Sequence, residues 1–171
     1  MKAINQNGHT MVELALVVVL LGILAVSAVS QYVGVEDARV DGAAKRVASD
    51  LAYARQQAIN ENSVFGITFD TVNDTYAVHE YDPDTDTATT IANTLTQQAA
   101  DTDFDNLPGM DGVTIQSAEF GGTVTIRFNA SGTPQDGNET NLAVEGTVVL
   151  NHSGNTETIR VQPNTGEINI Q

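Results

Sequence analysis

The chain has no cysteine and no tryptophan, and its 7 Lys and Arg face 22 Asp and Glu. The missing thiols exclude disulfides, cysteine nucleophiles and thiolate metal sites, but they do not assign a compartment. With no tryptophan and few other aromatics, a core has to rest on Val, Ile, Leu and Ala with some Phe and Tyr. The shortage of cations leaves a net charge of −15 over 171 residues. Such a surface repels nucleic acid and anionic headgroups, so no nucleic-acid partner is expected. Catalytic signatures are also missing. There is no Gly-x-Ser-x-Gly elbow and no Gly-x-x-x-x-Gly-Lys loop, and the chain reads as a non-enzyme.

What is present is one long apolar run near the start. Leu14 to Val35 are 22 residues without a charge. As helix they would extend about 33 Å, enough to cross the hydrocarbon core of a bilayer. Glu13 stands at the front of this run. A carboxylate inside a spanning helix costs roughly 2.5–3.5 kcal/mol and normally has a partner. Two readings leave Glu13 without a use: a secretory signal peptide cut near Ala28-Val29-Ser30, and a plain membrane anchor. A third gives it a partner on another molecule.

The residues around Glu13, Gly8-His9-Thr10-Met11-Val12-Glu13-Leu14, resemble the processing site of type IV prepilins and pseudopilins. That resemblance implies a leader of residues 1–8, cleaved between Gly8 and His9 by a membrane-embedded prepilin peptidase, with N-methylation of the new terminus at His9. Glu13 becomes the fifth mature residue, flanked by Thr10 and Leu14, and its carboxylate meets the α-amino group of a neighbouring subunit. Two buried charges are tolerable when they neutralise each other. The family usually has Phe where this chain has His9, and often a proline where it has Ser30. Gly22 matches a glycine at which this helix is often loosened.

Beyond Val35 the pattern becomes amphipathic. Val40, Ala43, Val47, Leu51, Ala54 and Ala58 recur at three- and four-residue steps, marking one face of a helix continuing to about Asn60. The whole helix would be roughly 75 Å long. Gly34 and Gly42 are points where it can bend. Strands are expected at 63–70, 74–81, 113–120, 123–130, 142–152, 157–163 and 166–171. Gly121-Gly122 reads as a two-residue hairpin, and the last three strands as a meander turning at Ser153-Gly154-Asn155 and Asn164-Thr165-Gly166. Asp82 to Asp111 reads as a long polar loop with a short element near 90–98.

The stretch "LAYARQQAINENSVFGITFD", with Ala54-Arg55, Ala58-Ile59 and the Val64 to Phe69 strand, is similar to GspH/FimT-type minor pseudopilins and pilins. So are "IRFNASGTP" and "GTVVLNHSGNTETIRVQPNTGEINI". The fold this implies is α+β and pilin-like: a long N-terminal helix, packed through its C-terminal half against an antiparallel β-rich head. The implied parts are a transmembrane and filament-core helix over 9–35, an amphipathic helix over 36–62, and a head over 63–171.

Few residues suggest other chemistry. Between Gln56 and Ile126 there are 12 acidic residues and no Lys or Arg. Asp82, Asp84 and Asp86, and again Asp101, Asp103 and Asp105, alternate as weak calcium candidates. Neither run completes an EF-hand loop, and a solvated acidic loop explains both. No other cofactor is expected. His9, His79 and His152 are dispersed and read as structural or exposed. Arg55 reads as a tie to a strand carbonyl or carboxylate. Asn73, Asn129, Asn138 and Asn151 begin Asn-x-Ser/Thr sequons.

The favoured reading is a structural subunit, a minor pseudopilin of type II secretion. A minor or major subunit of a type IV pilus is the close alternative. A secreted β-domain with an ordinary signal peptide is the alternative of another class. The pilin readings place the chain in the bacterial inner membrane, single-pass, with a periplasmic or extracellular head, before it joins a filament. Its partners would be other pilin or pseudopilin subunits through the N-terminal helix, the prepilin peptidase, the inner-membrane assembly platform and membrane lipid.

Overall fold

Apolar residues spaced three and four apart between Val40 and Ala58 form the buried face of helix α1, which runs Met11–Glu61. The computed structural model describes residues 11–82, 84–91 and 101–171, with side chains described except at 25–36. Two units divide the chain, Met1–Val35 and Glu36–Gln171. The helix stops where Asn62 turns left-handed at φ 54° and the Ser63 N–H donates to the Ala58 carbonyl at 3.2 Å. That bond satisfies one of the last helical carbonyls, as a Schellman ending does.

Among the described residues ten strands follow in two antiparallel sheets. In the first, β1 (Val64–Asp70) pairs with β2 (Thr75–Tyr81), whose far edge takes both β3 (Ala88–Thr90) and β4 (Thr102–Asp103). A 3₁₀ turn over Phe104–Asn106 follows β4. The second sheet has β5 (Thr114–Glu119) at one edge. The first sheet resumes with β6 (Thr125–Phe128) and β7 (Pro134–Asp136), beyond β1. The second is completed by β8 (Gly146–His152), β9 (Asn155–Val161) and β10 (Ile168–Ile170), in the order β10-β9-β8-β5. The expected meander is therefore present. Its β8–β9 turn, Ser153-Gly154, has φ of 52° and 90°, the double left-handed geometry of a two-residue hairpin.

The hairpin expected at Gly121-Gly122 needs correction. Both glycines have positive φ, and Phe120 and Thr123 exchange two backbone bonds, Phe120 N–H to Thr123 carbonyl at 2.8 Å and the reverse at 3.2 Å. The flanking strands then part into different sheets. A strand has two edges, and both edges of β6 are taken, by β1 and β7, so β5 pairs with β8 instead. Strand β7 was not anticipated. It has three residues and opens on Pro134, which an edge position tolerates because no ladder donor is needed there. The acidic stretch 82–111, expected as loop, carries β3, β4 and the 3₁₀ turn; most of the short element expected near 90–98 falls outside the described residues.

A single buried cluster joins α1 to both sheets. Val40, Ala43, Ala44, Val47, Leu51, Ala54 and Ala58 come from the helix, Phe65, Ile67 and Ile126 from the first sheet, and Val148, Leu150, Ile159 and Val161 from the second. All five phenylalanines are buried. Phe120, Phe69, Tyr76 and Phe104 form a chain of ring contacts with centroids 5.7–5.8 Å apart, linking the end of β5 to β1, β2 and the 3₁₀ turn.

Gly66 shows how closely β1 and β6 are fitted. A Cβ there would collide with the Ile126 carbonyl oxygen and lie 3.1 Å from both the Arg127 Cα and the Tyr81 ring. Two of the three neighbours are backbone and cannot rotate away. Gly66→Ala should therefore lower the unfolding free energy by about 1–3 kcal/mol. Urea denaturation of the full chain in detergent tests this; an unchanged midpoint would show that the two strands part readily.

Candidate assembly surface and the acidic loops

Between Met11 and Leu24 every residue of α1 is exposed, on all sides of the helix. Ten of these are Val, Leu or Ile, from Val12 to Leu24, with accessibilities of 49% to 72%. Covering one such side chain is worth roughly 1.5–3 kcal/mol, so the segment has on the order of 15–30 kcal/mol to gain by leaving water. That exceeds several-fold the roughly 3 kcal/mol cost of taking Glu13 along. A helix apolar all round is built for lipid or for a bundle of other helices. Glu13 sits in the first turn, with Leu14 beside it, and Gly22 lies within the continuous helix. Gly8, His9 and Thr10 lie outside the described residues. Among the described residues no helix is long and apolar enough to cross a membrane; the run read from sequence continues into 25–35, whose side chains are not described.

The alternating aspartates are used internally. Asp82 accepts from the backbone N–H groups of Asp84 and Thr85, at 2.9 and 3.0 Å, and these bonds hold its carboxyl below the usual range. Asp86 pairs with Arg127. Asp103 caps the 3₁₀ turn through the Asp105 N–H and also accepts from the Asn106 amide, while Asp105 accepts from the Gly112 N–H. Asp84 and Asp101 are exposed. Among the described residues no three His, Asp or Glu are grouped to hold a metal ion.

The histidines are separate. His79 contacts Thr90 at 3.2 Å, and burial lowers its pKa, with Asp101 opposing the shift. His152 donates from Nδ1 to the Gly112 carbonyl at 2.9 Å. His9 is not among the described residues. Arg55 ties to a carbonyl of the head, donating to Gly132 at 3.1 Å, but Gly132 lies in the β6–β7 connection and not in a strand as expected. Gly166 packs so closely on Arg55 that a Cβ there would lie 2.9 Å from Nε.

One buried polar cluster was missed in the sequence. Asp50 is 3% exposed on the inner side of α1. It accepts from Arg46 Nε at 2.9 Å and from the Tyr76 hydroxyl at 2.7 Å. Burial raises the Asp50 pKa, with Tyr76 and then Arg46 opposing, and burial beside the Asp50 charge raises that of Tyr76. The available signal was the i,i+4 spacing of Arg46 and Asp50. On a helical wheel that pair reads as surface, and only β2 brings Tyr76 over it.

The family model for type II transport protein GspH matches residues 43–166. The chain belongs to the GspH family. The match spans the small-residue helix face, both sheets except β10, and the acidic loops; the exposed helix Met11–Leu24 lies before it. A comparison with curated proteins finds no match. Two structures of the minor pseudopilin EpsH from the Vibrio cholerae type II secretion system superpose with a TM-score of 0.57 each. They are 14% and 13% identical, over 78% of this chain and 96% and 94% of theirs. At that identity the likeness is one of fold: a helix packed on antiparallel sheets. The Pseudomonas aeruginosa type IV minor pilin FimU gives 0.48 at 16% identity, over 77% of this chain and 87% of that one. GspH pseudopilins are structural, non-enzymatic subunits, and the non-enzyme reading holds for this chain as a family member.

In this GspH-family head the buried cluster generates two predictions. Arg46→Gln leaves Asp50 buried without its cation and should cost about 3–5 kcal/mol of stability, measured by urea unfolding. Asp50 has a raised folded-state pKa, so its contribution is complete below the ordinary value near 3.8 and is lost as pH rises through the folded value. Wild type should therefore lose stability relative to Asp50→Asn as pH rises from about 4 toward neutrality. The paired difference matters because Asp70 and Asp82, lowered by their turn hydrogen bonds, act in the opposite sense. Wild type gaining stability relative to Asp50→Asn as pH rises would mean that Arg46 and Tyr76 outweigh desolvation.

Proposed function

We propose that this chain is a minor pseudopilin of a type II secretion system, made as a precursor and processed by a prepilin peptidase between Gly8 and His9. The observation that carries the reading is the GspH family match over the head. The exposed apolar helix supports it, because such a surface needs an apolar environment. In this reading residues 1–8 are a leader, 9–35 form the membrane and filament-core helix, 36–62 join it to the head, and 63–171 face the periplasm. The inner membrane holds the subunit before assembly, and other pseudopilin helices replace lipid in the filament. Glu13 neutralises the new α-amino group of a neighbour, which removes the cost of burying either charge alone and sets the register between subunits. Thr10 and Leu14 flank that contact, and Gly22 loosens the helix. The assembly platform and its cytoplasmic ATPase supply the work. The head contributes lateral contacts and no catalysis.

The N-terminal peptide and intact mass of protein from native membranes test the processing. A chain starting at His9, with or without one added methyl, is the expected result; a start near Gln31 would mean an ordinary signal peptide. Gly8→Leu should leave the precursor uncut. Glu13→Gln should be processed and folded yet enter filaments at least tenfold less well, because the neighbour's amine is left buried and unpaired. Cross-linking yield between subunits reads this, and wild-type yield would count against the charge pair. Deletion of the chain should reduce export of type II substrates without removing surface pili.

A further inference from the structure

Arg127 is the only Lys or Arg between residues 56 and 159. It leaves the interior strand β6 with its side chain 8% exposed and its guanidinium carbon 3.9 Å from the centre of the Tyr81 ring. Nη1 donates to Asp86 Oδ1 at 2.5 Å and to Glu139 Oε1 at 3.2 Å. The two carboxylates come from separate turns, and both residues hold left-handed backbone, φ 52° and 65°. Their side chains are 57% and 63% exposed. A buried cation is thus tied to two anions at the surface.

The Asp86 turn has little else to hold it down. Asp82 and residues 84–89 are all exposed, and none belongs to the core. The turn closes on itself through Asp86 N–H to the Asp82 carbonyl and Asp82 N–H to the Thr87 carbonyl. Its attachments to the sheet are the three-residue β2–β3 pairing, His79 to Tyr81 against Ala88 to Thr90, the Thr90 to His79 side-chain contact, the Ile91 N–H to Val78 carbonyl bond with Ile91 packed partly buried on the core, and the Arg127 pair. Short strands with no buried side chains open at low free energy. An ion pair whose carboxylate faces water is weakened by salt.

We infer that Asp82 and residues 84–90 are a releasable strap on the edge of β2, latched by the Arg127–Asp86 ion pair. Glu139 and the Tyr81 ring make release feasible. When Asp86 lifts away, the guanidinium keeps one anion and one ring face, so no unpaired charge is stranded in the sheet. Opening uncovers the backbone of His79 to Tyr81, the edge that β3 occupies. The inference stands on the head alone and is independent of the assembly role.

Hydrogen exchange by mass spectrometry on the full chain in detergent tests it. Asp86→Asn removes the charge while keeping a residue that tolerates left-handed backbone. The peptide spanning 86–91 should exchange about tenfold faster in this variant, with the β8–β9 peptides unchanged. Raising salt to about 0.5 M should accelerate that peptide in wild type and have little further effect in Asp86→Asn. Glu139→Gln should slow it or leave it unchanged, because release then strands Arg127. An unaltered 86–91 peptide in Asp86→Asn would overturn the latch. So would equal acceleration in β8–β9, equal salt sensitivity in both proteins, or faster exchange in Glu139→Gln.

Discussion

The burial of one face of α1 in a core shared with both sheets is the constraint on which the head depends. Ala43, Ala44, Ala54 and Ala58 are fully buried there beside Val47 and Leu51. A larger residue at any of these alanines would have to displace its neighbours in that core. The aromatic chain from Phe120 to Phe104 then fills volume that a helix face of small residues cannot. With no tryptophan to use, the chain places every phenylalanine inside.

Scarce cations are used as ties. Six of the seven Lys and Arg fall among the described residues. Arg39 reaches the Asp111 carbonyl, Lys45 reaches Asp41, Arg46 reaches Asp50, and Arg55 reaches the Gly132 carbonyl. Arg127 holds two turns, and Arg160 holds Glu145. The exposed pairs add little. Arg46 and Arg127 matter more, because each is nearly buried and would be costly to leave alone. Much of the acidic surplus goes to turns. Asp70, Asp82, Asp103 and Asp136 each accept at least one backbone N–H in a connection.

The two units meet the demand to bury apolar surface differently. The head satisfies it internally. The described part of the first unit does not, since its apolar side chains remain exposed around the helix. Its stability in any working state is therefore a property of what surrounds it, lipid or other helices, and a single carboxylate in that surface acts through a partner or imposes a cost. Family membership rests on the match over residues 43–166, whereas the reading of Glu13 rests on the resemblance of the residues beside it.

The amino-acid sequence by itself determined the elements whose signal is periodic or local. The helix face from Val40 to Ala58 follows from its spacing, and the strands from β-rich runs bounded by Asn and Gly. That Arg55 ties the helix to a head carbonyl was also legible, though the carbonyl belongs to the β6–β7 connection and not to a strand, and so was the family. Tertiary structure decided the rest, because pairing is a competition between distant segments. Gly121-Gly122 encodes a turn, but β6 has only two edges, and β1 and β7 occupy both, so β5 crosses to the other sheet. Strands β3, β4 and β7 are two or three residues long and exist because an edge was available. Asp50 looked like one half of a surface helix pair until Tyr76 closed over it, and Asp86 looked like one of six loop aspartates until Arg127, 41 residues away, reached it. Burial and long-range pairing are properties of the assembled fold, and no local pattern carries them.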